Sequence, residues 1–93
     1  MDELAALQAV AKGRVQGVYY RAFTSKNATS LNLKGYVHNL PDRSVEIYAE
    51  GEKKQLEKLV EQLKKGPPGA RVDNLTLNWS QYTGVYHDFS VTR

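Results

Sequence analysis

Residues 52–65 of the chain read EKKQLEKLVEQLKK, and they form its most regular pattern. The apolar positions recur at the spacing of one helical face, and lysine, glutamate and glutamine fill the others. The sequence GPPG at residues 66–69 ends this pattern, because glycine and proline do not continue a helix. The stretch predicts an amphipathic helix that packs against another layer through Leu56, Leu59, Val60 and Leu63.

Strand patterns flank this helix in both directions. Alternating apolar residues predict two strands, over residues 33–39 and 44–50. Leu40-Pro41-Asp42-Arg43 lies between them, and its proline and aspartate favour a turn, so the two strands form a hairpin. The remaining elements are a strand over residues 4–14, a helix that starts at Tyr20 and carries Phe23, Ala28 and Leu31, a fourth strand at Leu75, Leu77 and Trp79, and a fifth strand at Phe89 and Val91.

The resulting order, β-α-β-β-α-β-β, predicts the α+β class. It is that of a ferredoxin-like α/β sandwich, βαββαβ plus a C-terminal fifth strand. Two helices should cover one face of an antiparallel sheet. We expect a single domain over residues 1–93, with residues 1–4 disordered. Because this fold carries many functions, function has to be inferred from particular residues.

The composition excludes several kinds of chemistry. The chain has 93 residues, of which 41% are hydrophobic and 25% charged, and this balance is typical of globular proteins. It has no cysteine, which excludes disulfides, thiolate nucleophiles, iron–sulfur clusters and thiolate zinc sites. With only two histidines, a histidine-built metal site would need carboxylates as further ligands. We therefore expect a metal-free protein.

Charge and hydropathy bear on partners and location. The net charge of +3 favours anionic partners, and small anions fit it as well as nucleic acid does. No run of about 18 apolar residues is present, so no membrane span is expected. The first twelve residues lack the basic start of a secretory leader, and we expect a cytoplasmic protein.

A glycine-containing loop leads from the first strand into the first helix. It reads GRVQGVYYR over residues 13–21 and ends in an arginine at the helix start. Backbone N–H groups of such a loop can converge on an anion, and a helix N-terminus adds unpaired donors and a favourable dipole. The guanidinium of Arg21 matches two oxygens of a phosphate or carboxylate. The pattern indicates an anion site, and its alternative is a tight turn with a surface arginine.

The same loop resembles the signature of the acylphosphatase family. Further blocks match that family in the same order: GYVHN at residues 35–39, GPPGARVD at residues 66–73, and Asp88-Phe89. The resemblance covers nearly the whole chain. It implies hydrolysis of the mixed anhydride of a carboxylate and a phosphate, without a metal or cofactor.

The resemblance also implies roles for particular residues. Arg21 would bind the phosphate, and Asn39 would orient the attacking water. The implied substrate is a small acyl phosphate, with inorganic phosphate as product and competitive inhibitor. A monomer that binds neither nucleic acid nor a membrane is expected. Backbone amides of the loop would complete the phosphate site at Val15, Gln16, Gly17, Val18, Tyr19 and Tyr20.

Several positions depart from the family pattern, among them Tyr19 and Tyr20, which stand where small residues or phenylalanine are common. Asn32 stands where glycine is usual, and asparagine is the next best residue for a left-handed helix end. The turn at residues 41–44 lacks the glycine often found there. His38 stands where a basic residue is common, and it lies either beside the substrate entrance or on the solvent-facing side of its strand.

Two other functions compete with hydrolysis. An RNA-binding module of the RRM type shares the βαββαβ core, and Lys34-Gly35-Tyr36 begins like one of its strand motifs. The motif then fails, because Val37-His38-Asn39 supplies no second aromatic residue. The other alternative is a non-catalytic domain that binds phosphate or carbamoyl phosphate. Similar domains form the N-terminal part of larger carbamoyltransferases of hydrogenase maturation.

Overall fold

The computed structural model describes residues 3–92. Its elements follow in the predicted order and lie close to their predicted positions, except that β4 begins at Arg71, four residues before the predicted Leu75. They are β1 (Leu4–Arg14), α1 (Tyr20–Ser30), β2 (Lys34–Asn39), β3 (Val45–Glu52), α2 (Lys53–Lys65), β4 (Arg71–Ser80) and β5 (Phe89–Val91).

The strands form one five-stranded sheet in the order β4-β1-β3-β2-β5. The pairs β1–β3, β1–β4 and β2–β3 are antiparallel, as predicted. The pair β2–β5 is parallel, so the sheet is mixed and not wholly antiparallel as expected. The reason lies in residues 81–88, here called the crossover segment. They carry the chain from β4 at one edge of the sheet to the opposite edge, where β5 runs alongside β2.

Both helices contribute to a core on one face of the sheet, and the ferredoxin-like sandwich is confirmed. The apolar stripe of α2 is buried, with Leu56, Leu59 and Leu63 fully covered. It packs on alternate residues of the central strands, such as Leu7 of β1 and Ile47 of β3. Burying one such aliphatic side chain stabilises the fold by about 1.5–3 kcal/mol. The stripe therefore fixes which side of the sheet receives the helices.

The first helix depends on its neighbours more than on its own residues. Thr24 and Asn27 are poor helix formers, and their side chains donate to the carbonyls of Tyr20 and Phe23 one turn earlier. Tyr20, Thr24 and Ala28 are buried against the sheet and α2. Packing rather than helix propensity thus determines the position of α1, and with it the loop at its start.

Asn32 ends α1 in the manner predicted. Its φ angle is 58°, in the left-handed region that asparagine tolerates better than most residues. The next residue, Leu33, donates its backbone N–H to the Ala28 carbonyl at 2.9 Å and is buried. The chain turns directly from α1 into β2.

Disorder is expected for residues 1–4, and residues 1 and 2 lie outside the described part of the chain. The Glu3 carbonyl accepts a hydrogen bond from the backbone N–H of Lys53 at 2.8 Å. Leu4 is the first residue of β1 and pairs with Glu52. Residues 3 and 4 are therefore tied to the junction of β3 and α2.

Candidate active site

A cavity of about 350 Å³ lies where the N-terminus of α1 meets the ends of β2 and β5. It brings Arg21 and Asn39 together although 18 positions separate them in the sequence. Among the predicted loop residues, only Val18 does not line it, because its side chain packs on the core. The lining residues are Val15, Gln16, Gly17, Tyr19, Tyr20, Arg21, Ala22, Asn39 and Val91.

The loop presents its backbone donors without using them internally. Gly17 has a φ of 75° and Tyr19 a φ of 64°, with a residue of ordinary φ between them. Such alternation is the conformation in which successive N–H groups converge on an anion. Tyr19 is the N-cap of α1, and its side chain makes no capping bond. Within residues 3–92, the N–H groups from residue 16 to residue 22 donate to no protein acceptor.

Two glycines of the loop have different tasks. Gly13, with a φ of 128°, lies where the register between β1 and β4 shifts, and a Cβ there would be 2.2 Å from the Arg71 carbonyl oxygen. It permits close approach of two strands. At Gly17, a Cβ would meet nothing within 4 Å, so its requirement is the positive φ alone.

Arg21 is held from one side by the end of the sheet. Its Nη1 donates to the carbonyl of Thr92 at 3.1 Å, and Thr92 in turn donates its N–H to Val37 of β2 at 2.9 Å. A guanidinium has five N–H donors. One is used to orient the group, and the others have no protein acceptor in the described part of the chain.

Asn39 is the last residue of β2. Its Oδ1 is buried and has no hydrogen-bond partner among the described residues. Leaving a buried acceptor unpaired costs about 1–3 kcal/mol. A group that is kept in this state beside a cavity is a candidate for binding a ligand or a water molecule.

Gln16 braces the loop from the other side. Its Nε2 donates to the carbonyls of Leu40 and Ser44, at 3.1 and 2.9 Å, and so connects the loop to the turn between β2 and β3. Its side chain is therefore occupied, while its backbone N–H faces no protein acceptor in residues 3–92. The contribution of Gln16 to an anion site would come from the backbone.

The two tyrosines of the loop differ in their surroundings. Tyr19 is 84% exposed at the rim of the cavity. Tyr20 is buried, and its hydroxyl donates to the Leu63 carbonyl of α2 at 2.8 Å. Burial raises the pKa of the Tyr20 hydroxyl, which remains a neutral donor. Tyr20 thus fastens the loop to the second helix.

His38 does not line the cavity. It points to the face of the sheet opposite the helices, where its Nε2 lies 2.5 Å from Oε1 of Glu46. Hydrogen bonds from His38 and from Gln8 hold the pKa of Glu46 below its usual value. Of the two positions predicted for His38, the structure supports the one away from the substrate entrance.

The face opposite the helices also carries the aromatic residues that an RRM-type function would need. The rings of Tyr36 and Tyr48 stack at 5.6 Å, and Tyr86 of the crossover segment packs against both, at 6.0 and 5.3 Å. These rings contact one another under the crossover segment. They do not form an open platform for bases.

Two residues of the cavity lining were not predicted, Ala22 and Val91. Val91 reaches the cavity only because β5 pairs with β2 in parallel, opposite Val37. Ala22 follows Arg21 in the first turn of α1, so its place in the cavity lining could have been predicted from the position of the loop. No group of three potential metal ligands occurs within residues 3–92, and no helix of that range is long and apolar enough to cross a membrane.

Fold and cavity together define a ferredoxin-like sandwich with a candidate anion site at the N-terminus of its first helix. The acylphosphatase family model matches residues 7–91. An acylphosphatase of Thermus thermophilus is 51% identical over 79 residues, which are 85% of this chain and 90% of that protein. The chain belongs to the acylphosphatase family, a family of hydrolases.

Solved structures agree with this assignment. The crystal structure of acylphosphatase from Bacillus subtilis superposes with a TM-score of 0.93 at 35% identity, covering 98% of this chain and all of that one. The chain is also similar to part of a full-length HypF in a phosphate- and nucleotide-bound form. There the TM-score is 0.86 at 29% identity, and the match covers this whole chain but 12% of HypF.

Proposed function

We propose that the chain hydrolyses the carboxyl–phosphate bond of acyl phosphates without a metal or cofactor, using Arg21, the loop amides and Asn39. The observation that carries this proposal is that these groups meet in one cavity, with donors and an acceptor that have no partner among residues 3–92. The reaction is proposed because the chain belongs to the acylphosphatase family, and the residue roles are proposed from the geometry of the cavity.

The phosphate is bound by the loop and Arg21. The free N–H groups of residues 16–22 surround an anion, and the positive end of the α1 dipole favours negative charge there. The free edge of the Arg21 guanidinium binds phosphate oxygens in a bidentate manner. In phosphoryl transfer, charge spreads over the equatorial oxygens, so these fixed donors stabilise the transition state more than the ground state.

Asn39 positions the nucleophile. Its buried Oδ1 accepts a hydrogen bond from a water molecule, whose oxygen then attacks the phosphorus atom. The bond between phosphorus and the bridging oxygen breaks, and the carboxylate leaves with the electron pair. The proton of the water passes to a phosphate oxygen, so the products are a carboxylate and inorganic phosphate. No protein base is required in this scheme.

The leaving group explains why no general acid is needed. The conjugate acid of a carboxylate has a pKa of about 4, so the group departs without protonation near neutral pH. Positioning and charge stabilisation are then the main tasks of the protein. Inorganic phosphate fits the same donors and is expected to inhibit competitively.

The assignment of Asn39 is tested by separating turnover from phosphate binding. For Asn39→Ala we expect kcat for benzoyl phosphate to fall about 10²-fold or more. The inhibition constant of phosphate should stay nearly unchanged, because the amide contacts water rather than the anion. Asn74→Ala, an exposed position on β4, is the matched control and should leave both values at wild-type levels. Lost phosphate binding with preserved turnover would refute the role.

A further inference from the structure

A second cavity adjoins the candidate active site. It has a volume of about 410 Å³ and is lined by Gly13, Arg14, Val15, Gln16 and Arg43. Val15 and Gln16 line both cavities. The second cavity therefore adjoins the first at the start of the loop, and it is bounded by two arginines.

The charges of these two arginines are not neutralised by any other residue in the described range. Within residues 3–92, neither guanidinium forms a hydrogen bond or an ion pair. Neighbouring acids are occupied elsewhere. Asp42 accepts bonds from the backbone and hydroxyl of Ser44, and Asp73 pairs with Arg71 at 2.9 Å. Two unpaired guanidinium groups at one cavity form a surface that favours a carboxylate or phosphate.

Arg43 occupies a backbone position that does not suit arginine. Its φ is 74°, in the left-handed region where glycine is the ordinary choice. The two hydrogen bonds of Gln16 to Leu40 and Ser44 connect this turn to the loop, so the strained residue is held beside the cavity. Strain of this kind concentrates at functional sites, which is a reason to look for a role of the side chain.

We propose that Arg14 and Arg43 form a second anion subsite, which binds a carboxylate or phosphate on the acyl part of the substrate. This inference rests on the proposed hydrolysis of acyl phosphates. With the scissile phosphate in the loop, an acyl group that passes Gln16 meets both guanidinium groups. The chain would accordingly select acyl phosphates that carry a second negative charge.

The test compares substrates that differ by one charged group. The probes are benzoyl phosphate, 4-carboxybenzoyl phosphate and 4-phosphonobenzoyl phosphate, and the measured quantity is the ratio of kcat/KM for each charged probe to that for benzoyl phosphate. Because both arginines are exposed and screened, we expect a ratio of about 3–10 in the wild type. The larger of the two ratios identifies whether carboxylate or phosphate is preferred.

Arg43→Gly and Arg14→Gln should each bring this ratio close to one. Lys54→Gln removes the same charge from an exposed position at the start of α2 and should leave the ratio unchanged. Arg43→Gly should also melt at the wild-type temperature or above, because glycine relieves the left-handed φ. A changed ratio in that variant therefore reports recognition and not misfolding.

Two results would overturn the subsite. One is a ratio unaffected by either arginine variant. The other is an equal decrease in Lys54→Gln, which would mean that net charge alone attracts the substrate. If the wild type failed to hydrolyse benzoyl phosphate, the proposed function itself would be refuted. The two failures are distinguishable, because the subsite alone fails when the wild type is active but the ratio does not depend on the arginines.

Discussion

Tyr20 forms a hydrogen bond that the sequence of the second helix makes necessary. The Leu63 carbonyl lies in the last turn of α2, and the residue four positions later is Pro67, which has no N–H to donate. The Tyr20 hydroxyl donates to the Leu63 carbonyl oxygen instead, at 2.8 Å. A residue at the end of the loop that lines the candidate active site thereby satisfies a carbonyl at the end of a distant helix.

Removing this hydroxyl should destabilise the protein measurably. For Tyr20→Phe we expect the free energy of unfolding to fall by about 1–2 kcal/mol, because the buried Leu63 carbonyl loses its donor. Urea unfolding at pH 7 measures the change. Tyr82→Phe, at a 42% exposed residue, is the control and should have little effect. Equal stability of Tyr20→Phe and wild type would show that the bond contributes nothing.

Single residues also show how much of the structure can be predicted from the sequence. The left-handed φ of Asn32 was predictable because the family resemblance places a glycine there and asparagine is the next best residue for this conformation. That Arg21 and Asn39 would share a cavity followed only from the family resemblance, because no local pattern relates two residues 18 positions apart. The positive φ of Tyr19 and Arg43 was not predictable, since neither side chain favours it and surrounding contacts impose it.

Among the elements, the crossover segment is the one that sequence periodicity did not describe. Residues 81–88 form no regular structure, and some of them donate hydrogen bonds to the carboxylate of Glu50 on β3. This carboxylate is 1% exposed and accepts hydrogen bonds from Tyr48, from the backbone and hydroxyl of Thr83, and from the backbone of Gly84. A buried carboxylate that accepts several hydrogen bonds therefore attaches the crossover segment to the sheet.

This arrangement predicts a pH dependence of stability. Burial opposes the ionised form of Glu50, but the hydrogen bonds outweigh it and hold the pKa below its usual 4.5. The stabilisation is therefore present above about pH 4.5 and is lost as the pH falls through the lower pKa of the folded state. At pH 6, Glu50→Gln should be less stable than wild type by about 1–3 kcal/mol.

Urea unfolding between pH 6 and pH 3 measures this effect. The difference between wild type and Glu50→Gln should shrink on acidification, and Glu57→Gln, an exposed position on α2, should show no such trend. A difference that stays constant over the whole pH range would contradict the assignment of Glu50 as an ionised anchor.

The regular elements were predictable because local patterns determine them. The stripe of α2, for example, requires one buried side, and the sheet supplies it. The direction of β5 was not predictable, because a parallel pair depends on where the crossover segment delivers the chain. That route is set by contacts of the crossover segment with β3, in which Thr83 donates to Glu50 and Tyr86 packs on Tyr48, and no local pattern encodes them.

The molecule as a whole holds its candidate active site from three directions. The Cα radius of gyration is 12.1 Å, close to the ~12.3 Å of a compact domain of this length. Gln16 connects the loop to the turn between β2 and β3, Tyr20 connects it to α2, and Arg21 donates to Thr92, the residue after β5. A small protein thereby keeps its donors fixed before the substrate arrives, which is the condition for effective electrostatic catalysis.

Hydrolysis of benzoyl phosphate in the presence of excess EDTA tests the central claim most directly, with wild type and Arg21→Gln compared side by side. The account predicts that EDTA leaves the wild-type rate unchanged and that Arg21→Gln lowers kcat/KM by at least about 10²–10³-fold while remaining folded. Wild-type activity abolished by EDTA, or activity retained in a folded Arg21→Gln variant, would contradict it.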